Sequence, residues 1–140
     1  MSPSPQVQAR FFYPPKNLQH MFTHFYYVDF AGEAGRVVTD YLHPEWGNLR
    51  FFQGNAPDAF ALDGTKFEKT NFSITGPSSH ALRFEIALPS RMWGIGMMPQ
   101  GWAHYMAVDA ADVANLVVDG LTDPRFAQFL PLAQILFGGV

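Results

Sequence analysis

The chain of 140 residues predicts a mainly β fold, closed or sandwiched, that ends in C-terminal helices. Three observations lead there. Between Met21 and Met98, six to eight short strand-like runs follow one another, each bounded by Gly, Pro, Asn or Asp. That many strands would leave many unpaired edges unless the sheet closes on itself or doubles over. After Pro99 the pattern changes to helix starts, and nowhere is there room for parallel βαβ units.

The elements are taken in order. Residues 1–9 are rich in Pro, Ser and Gln and read as a flexible lead, with ordered structure beginning at Arg10-Phe11-Phe12-Tyr13 before two prolines. A helical turn is expected from Asn17. From Met21 to Phe30 the residues alternate, with Phe22, His24, Tyr26, Val28 and Phe30 on one face. The glycine-containing turn 31–35 joins this strand to Arg36–Leu42, which suggests a hairpin. His43-Pro44-Glu45-Trp46-Gly47 turns into a strand over Asn48–Gln53. Weak strand character at Phe60–Leu62 ends at Asp63-Gly64, a pair suited to tight turns. Further strands are expected over Lys69–Thr75, Leu82–Leu88 and Arg91–Met98. Helices follow over Gly101–Met106, over Ala110–Leu116 with Asp109 as cap, and over Pro124–Phe137.

Composition narrows the function. Hydrophobic residues make up 48% of the chain and aromatic residues 16%, against 15% charged, so the sequence buries a core and is not a disordered segment. There is no Cys, which removes disulfides, thiol nucleophiles and Cys-based metal sites and fits a reducing compartment. No secretory leader pattern and no run of ~18 apolar residues is present, so a cytoplasmic protein without a membrane partner is expected. The formal net charge is -3, and the imbalance lies wholly beyond residue 100, where Arg125 stands against Asp109, Asp112, Asp119 and Asp123. Without a cluster of Lys and Arg, the chain itself is not expected to grip nucleic acid.

Catalytic patterns are weak. His20 and His24 have metal-ligand spacing only on a helix; on a strand, four residues separate the rings by about 13 Å. Structural or surface roles are expected for them and for His43, His80 and His104, and no metal or other cofactor is expected. Ser78-Ser79-His80 lacks a nucleophile elbow, and the acids are scattered singly in turns and caps. Gly94-x-Gly96 lacks the third glycine of a dinucleotide loop and reads as small residues where a strand packs closely. Met92, Met97, Met98 and Met106, near Trp93 and Trp102, read as core in preference to a pocket wall. The chain is therefore expected to be no enzyme.

What remains is apolar capacity with a few polar handles. Tyr26, Tyr41, Trp46, Arg50, Phe51, Phe72 and Trp93 are candidate ligand-binding residues if they line one cavity. Arg50, alone among Leu49, Phe51 and Phe52, would grip a small organic anion or form a structural ion pair with Glu45 or Glu85.

Four stretches in order, Tyr13-Pro14-Pro15-x-x-Leu18, His43 through Phe51, Thr75-Gly76-Pro77 and Trp93-Gly94-Ile95-Gly96-x-x-Pro99-x-Gly101, resemble the N-terminal sensor domain of a group of AraC-type transcriptional regulators. The likeness covers residues 10–121. It implies a cupin-like β-barrel that senses a small molecule or mediates dimerisation, with 122–140 leading to a helix-turn-helix part that binds DNA. That part is not in this chain, whose apolar finish reads as a piece cut from a longer protein. The His-x-His and Glu pattern of metal-binding cupins is missing, which disfavours a cupin enzyme. A stand-alone small-ligand carrier is the other alternative.

Overall fold

The computed structural model describes residues 6–137; residues 1–5 of the expected flexible lead and 138–140 of the apolar finish lie outside them. Among the described residues the strands are β1 (Gln6–Phe12), β2 (Phe22–Ala31), β3 (Val37–Leu42), β4 (Asn48–Gly54), β5 (Asp58–Phe60), β6 (Lys66–Phe67), β7 (Phe72–Thr75), β8 (Leu82–Ala87), β9 (Ser90–Met97) and β10 (Val117–Asp119). Two α-helices, α1 (Pro99–Tyr105) and α2 (Leu130–Phe137), lie in the C-terminal part. The fold is mainly β, as expected.

The strands form two antiparallel sheets, one of order β1-β2-β9-β4-β7-β10 and one of order β3-β8-β5-β6. No strand pairing joins the sheets among the described residues, so hydrogen bonding does not close a barrel. Strand alternation sorts the apolar side chains into two cores. Tyr26, Val28, Phe30, Phe52, Ile86, Leu88 and Met92 pack between the sheets. Leu49, Phe51, Phe72 and Ile74 point to the other side of the larger sheet, where Trp102, Val113, Phe126 and Ala133 cover them. Strand β4 is therefore buried on both faces.

Several expectations are corrected. The lead does not stay free to residue 9: Gln6–Phe12 pairs along the open edge of β2, with Gln6 opposite Ala31 and Phe12 opposite Phe25. The expected hairpin between β2 and β3 does not form. Both edges of β2 are taken, by β1 and by β9, so the chain crosses at 32–36 into the smaller sheet and β3 pairs with β8. The Asp63-Gly64 turn does make a hairpin, with Gly64 at φ +90°, but its strands are β5 and β6 and not Phe60–Leu62. β7 begins at Phe72 and not Lys69. The expected turn from Asn17 is a 3₁₀ turn over Lys16–Leu18.

The first C-terminal helix forms close to where it was expected, and the later two are shorter and more broken. α1 starts at Pro99, whose fixed φ suits a first helical position. Ala110–Leu116 divides into a 3₁₀ turn, Ala110–Val113, and a loop into β10, which pairs with β7. Pro124–Phe137 is a 3₁₀ turn, Pro124–Phe129, followed by α2, and not one helix. Asp123 accepts the Arg125 N–H at 3.0 Å at its start. Phe126, Phe129, Leu130 and Phe137 pack on the sheet, whereas Ile135 is exposed. No helix among the described residues is long and apolar enough to cross a membrane.

Candidate functional site

Cross-strand register places Tyr26, Gly94, Arg50 and Ser73 in one row across β2, β9, β4 and β7. The row faces the inter-sheet space, and its two small residues leave room above the sheet for the two large ones. Gly94 is required: a Cβ there would stand 1.9 Å from Cζ of Tyr26. Gly96 lies opposite Asn48 in the next row, where a Cβ would stand 2.1 Å from Oγ1 of Thr23. The Gly-x-Gly pair thus serves close packing, as the sequence suggested.

Over this floor lies a buried polar network. The Tyr26 hydroxyl donates to Oδ1 of Asn48 at 2.7 Å, and Nδ2 of Asn48 donates to the Trp46 carbonyl at 3.1 Å. Arg50 donates from Nη1 to Oγ1 of Thr75 at 3.0 Å and from Nη2 to Oε1 of Glu45 at 2.5 Å. Its guanidinium carbon lies 5.9 Å from the Tyr26 ring centre. Nε of Arg50 is buried without a hydrogen-bond partner. Glu85, the other carboxylate considered for Arg50, pairs instead with Arg83.

Burial shapes the charges. Desolvation is the largest effect on Tyr26 and pushes its pKa up to about 12, although the nearby Arg50 charge opposes the rise. Burial also works against the Arg50 cation, but Tyr26 and Glu45 outweigh it and shift that pKa upward. At neutral pH the phenol is uncharged, so Glu45 supplies the balancing charge.

The network lies between two spaces. Arg50 lines a cavity of about 50 Å³ between the sheets, with Ser73, Thr75, Thr70 and Glu68 among its polar walls and Phe30 and Phe52 among its apolar ones. Glu45 lines an open pocket of about 400 Å³ with His24, Pro44, Trp46 and Pro77. The loop that carries Glu45 is tied down by reciprocal bonds: the Glu45 N–H donates to Oγ of Ser78 at 3.0 Å, and the Ser78 N–H donates to the Glu45 carbonyl at 2.9 Å.

The seven sequence candidates do not line one cavity. Tyr26 and Arg50 meet in the network. Phe51 and Phe72 stack at 4.5 Å on the opposite face of the larger sheet, because neighbours along a strand alternate sides. Trp93 lies on that outer face against Tyr27 at 5.4 Å, and with Phe51 it borders a groove of about 520 Å³ that Tyr26 also edges. Tyr41 is exposed on β3 in the other sheet, and Trp46 is half exposed in the loop before β4. The methionines divide likewise: Met92 packs between the sheets and Met97 on the far face, while Met98 and Met106 line a groove of about 750 Å³ beside α1. Sequence reasoning missed Asn48 and Thr75. Asn48 shares the period-2 face of Arg50, a signal that was legible; Thr75 enters only through strand register.

Other sequence features take structural roles. His24 packs against the rings of Phe11 and Tyr26, and among the described residues no three His, Asp or Glu side chains converge to hold a metal ion. Ser78 holds the Glu45 loop, and the Ser79 N–H donates to Oδ1 of Asn115 at 2.8 Å. Comparison of the chain with protein-family models, with curated proteins and with solved structures finds no match.

Proposed function

We propose that this chain is the sensor domain of an AraC-type regulator, cupin-like in its chain path, which binds a small organic ligand beside Arg50 and passes occupancy to its C-terminal helices. The observation that carries this reading is β4. Its inward residues, Asn48 and Arg50, hold the polar network, while its outward residues, Leu49 and Phe51, pack in the core that Phe126 and Ala133 cover. Gln53 at its end donates to the Phe137 carbonyl at 3.3 Å. A change on the ligand side thus has a short path to the segment that would connect to a DNA-binding part. The pairing of strands distant in sequence, β2 with β9 in the larger sheet and β3 with β8 in the smaller, supports the cupin-like reading.

A ligand that favours one packing of these helices by about 1–3 kcal/mol would suffice to reposition paired DNA-binding modules. The test is a fusion of the chain to a dimer-dependent DNA-binding module that controls a reporter, screened against small organic acids, amines and sugars. The reading requires at least one compound that changes reporter output and alters hydrogen exchange in β4 and in 124–137 together. A compound that binds without changing exchange in 124–137 refutes the coupling. Sedimentation showing only monomer at high concentration counts against a paired state.

A further inference from the structure

The guanidinium of Arg50 offers two kinds of contact. Nη1 is used by Thr75. The other edge, Nε with Nη2, is spaced to receive both oxygens of a carboxylate side by side. Glu45 engages this edge with one oxygen on Nη2 only, and Nε stays buried without a partner. The side-on fork is half used.

The two partners are held unequally. The Arg50 side chain is 6% exposed and rises from a strand buried on both faces, whereas the Glu45 side chain is 31% exposed and belongs to a loop. Glu45 borders the larger pocket, Arg50 the small cavity between the sheets, and their ion pair stands between the two. A ligand arriving from the open pocket meets the replaceable partner first.

We propose that the Nε–Nη2 edge of Arg50 is the binding site for a compact monocarboxylate, and that Glu45 occupies it as an internal substitute which the ligand displaces. This inference rests on the sensor reading above and names its ligand class. Charge selects the class: Glu45 is the carboxylate paired with Arg50, so a singly charged carboxylate that takes its place keeps the balance, whereas a doubly charged phosphate exceeds it. An amine would meet the guanidinium itself. The open pocket of about 400 Å³, with Pro44, Trp46 and Pro77 in its walls, suits a short apolar body. Displacement of Glu45 would also disturb its loop, where Gly47 packs so closely on Trp102 of α1 that a Cβ would stand 2.4 Å from the ring. Ligand exchange at Arg50 is thereby linked to the start of the helical part.

The experiment titrates the whole chain with acetate and butyrate, and with butylamine, butanol and inorganic phosphate as comparisons, at constant ionic strength. Thermal shift and calorimetry provide the readouts. The expected result is stabilisation by butyrate over the comparisons, binding at least tenfold tighter in Glu45→Gln, and loss of binding in Arg50→Met. Should Glu45→Gln not fold, Glu45→Asp, too short to keep its bond to Nη2, is expected to show the same tightening. Butyrate binding that is unchanged in these Glu45 variants, or retained in Arg50→Met, overturns the proposal. Stabilisation by the amine or the alcohol with none by the carboxylates overturns the ligand class and leaves the sensor reading standing. Butyrate binding to Arg50 with no reporter response in the fusion supports the site and refutes the sensor reading.

Discussion

Replacing either member of the Arg50–Glu45 pair breaks the same ion pair, yet the two losses should differ sharply. In Glu45→Ala the guanidinium remains, buried in the sandwich beside Thr75 and Tyr26, without its ion-pair partner. Stranding a buried charge costs about 3–5 kcal/mol, and the partial exposure of Glu45 places this case near 3. In Arg50→Met the buried charge itself is removed, an apolar chain of similar length fills the space, and Glu45 turns to the solvent that already reaches it. Such replacements cost about 1 kcal/mol or less. Urea unfolding at pH 7 resolves the difference: with a slope of about 2 kcal/mol per molar, Glu45→Ala should lower the midpoint by about 1.5 M and Arg50→Met by no more than about 0.5 M, at unchanged slope. A midpoint for Arg50→Met at or below that for Glu45→Ala would refute the reasoning, because it would show that the guanidinium contributes net stability.

Three further outcomes are expected. Gly94→Ala drives a methyl group into the Tyr26 ring and should destabilise by about 1–3 kcal/mol; combined with Tyr26→Ala, the two costs should fall clearly short of their sum in denaturant melts. Tyr26, with its pKa raised to about 12 by burial, holds its proton in the folded state while the unfolded phenol loses it near ~10. Stability is thus full below pH 10 and falls by about 2–3 kcal/mol as pH rises through 12, a loss that Tyr26→Phe should lessen in the same alkaline titration. Phe126→Ala empties a fully buried position over the outer face of β4 and β7 and should cost about 3–5 kcal/mol by urea unfolding.

Alternation made the central strands legible. Tyr26, Val28 and Phe30 could be assigned to one face from the sequence, and all three are buried between the sheets. The Pro/Gly breaks before β4, β8 and β9 bounded those strands well. β1 was hidden because Gln and Ala carry little strand signal, and β10 because three residues of Val-Val-Asp follow a helix start. The site was half legible. The Arg50–Glu45 ion pair is legible in the sequence as one alternative, but Arg50 and Phe51 cannot share a cavity, because adjacent strand residues face apart. Which face was inward depended on the neighbours of β4, and pairing partners from β7 and β9 cannot be read along one strand.

The place of β9 between β2 and β4 sets the timing of folding. Phe22 meets Met97 and Asn48 meets Gly96, so the larger sheet cannot assemble until the second half of the chain has been made. Its outer face then waits again for Phe126 and Ala133, later in the sequence. Contacts this far apart in sequence make folding slow, and a growing chain on the ribosome would display Phe51 and Phe72 uncovered until residues 126–133 emerged. Removing that segment should leave a protein that aggregates during synthesis before any ligand can reach it.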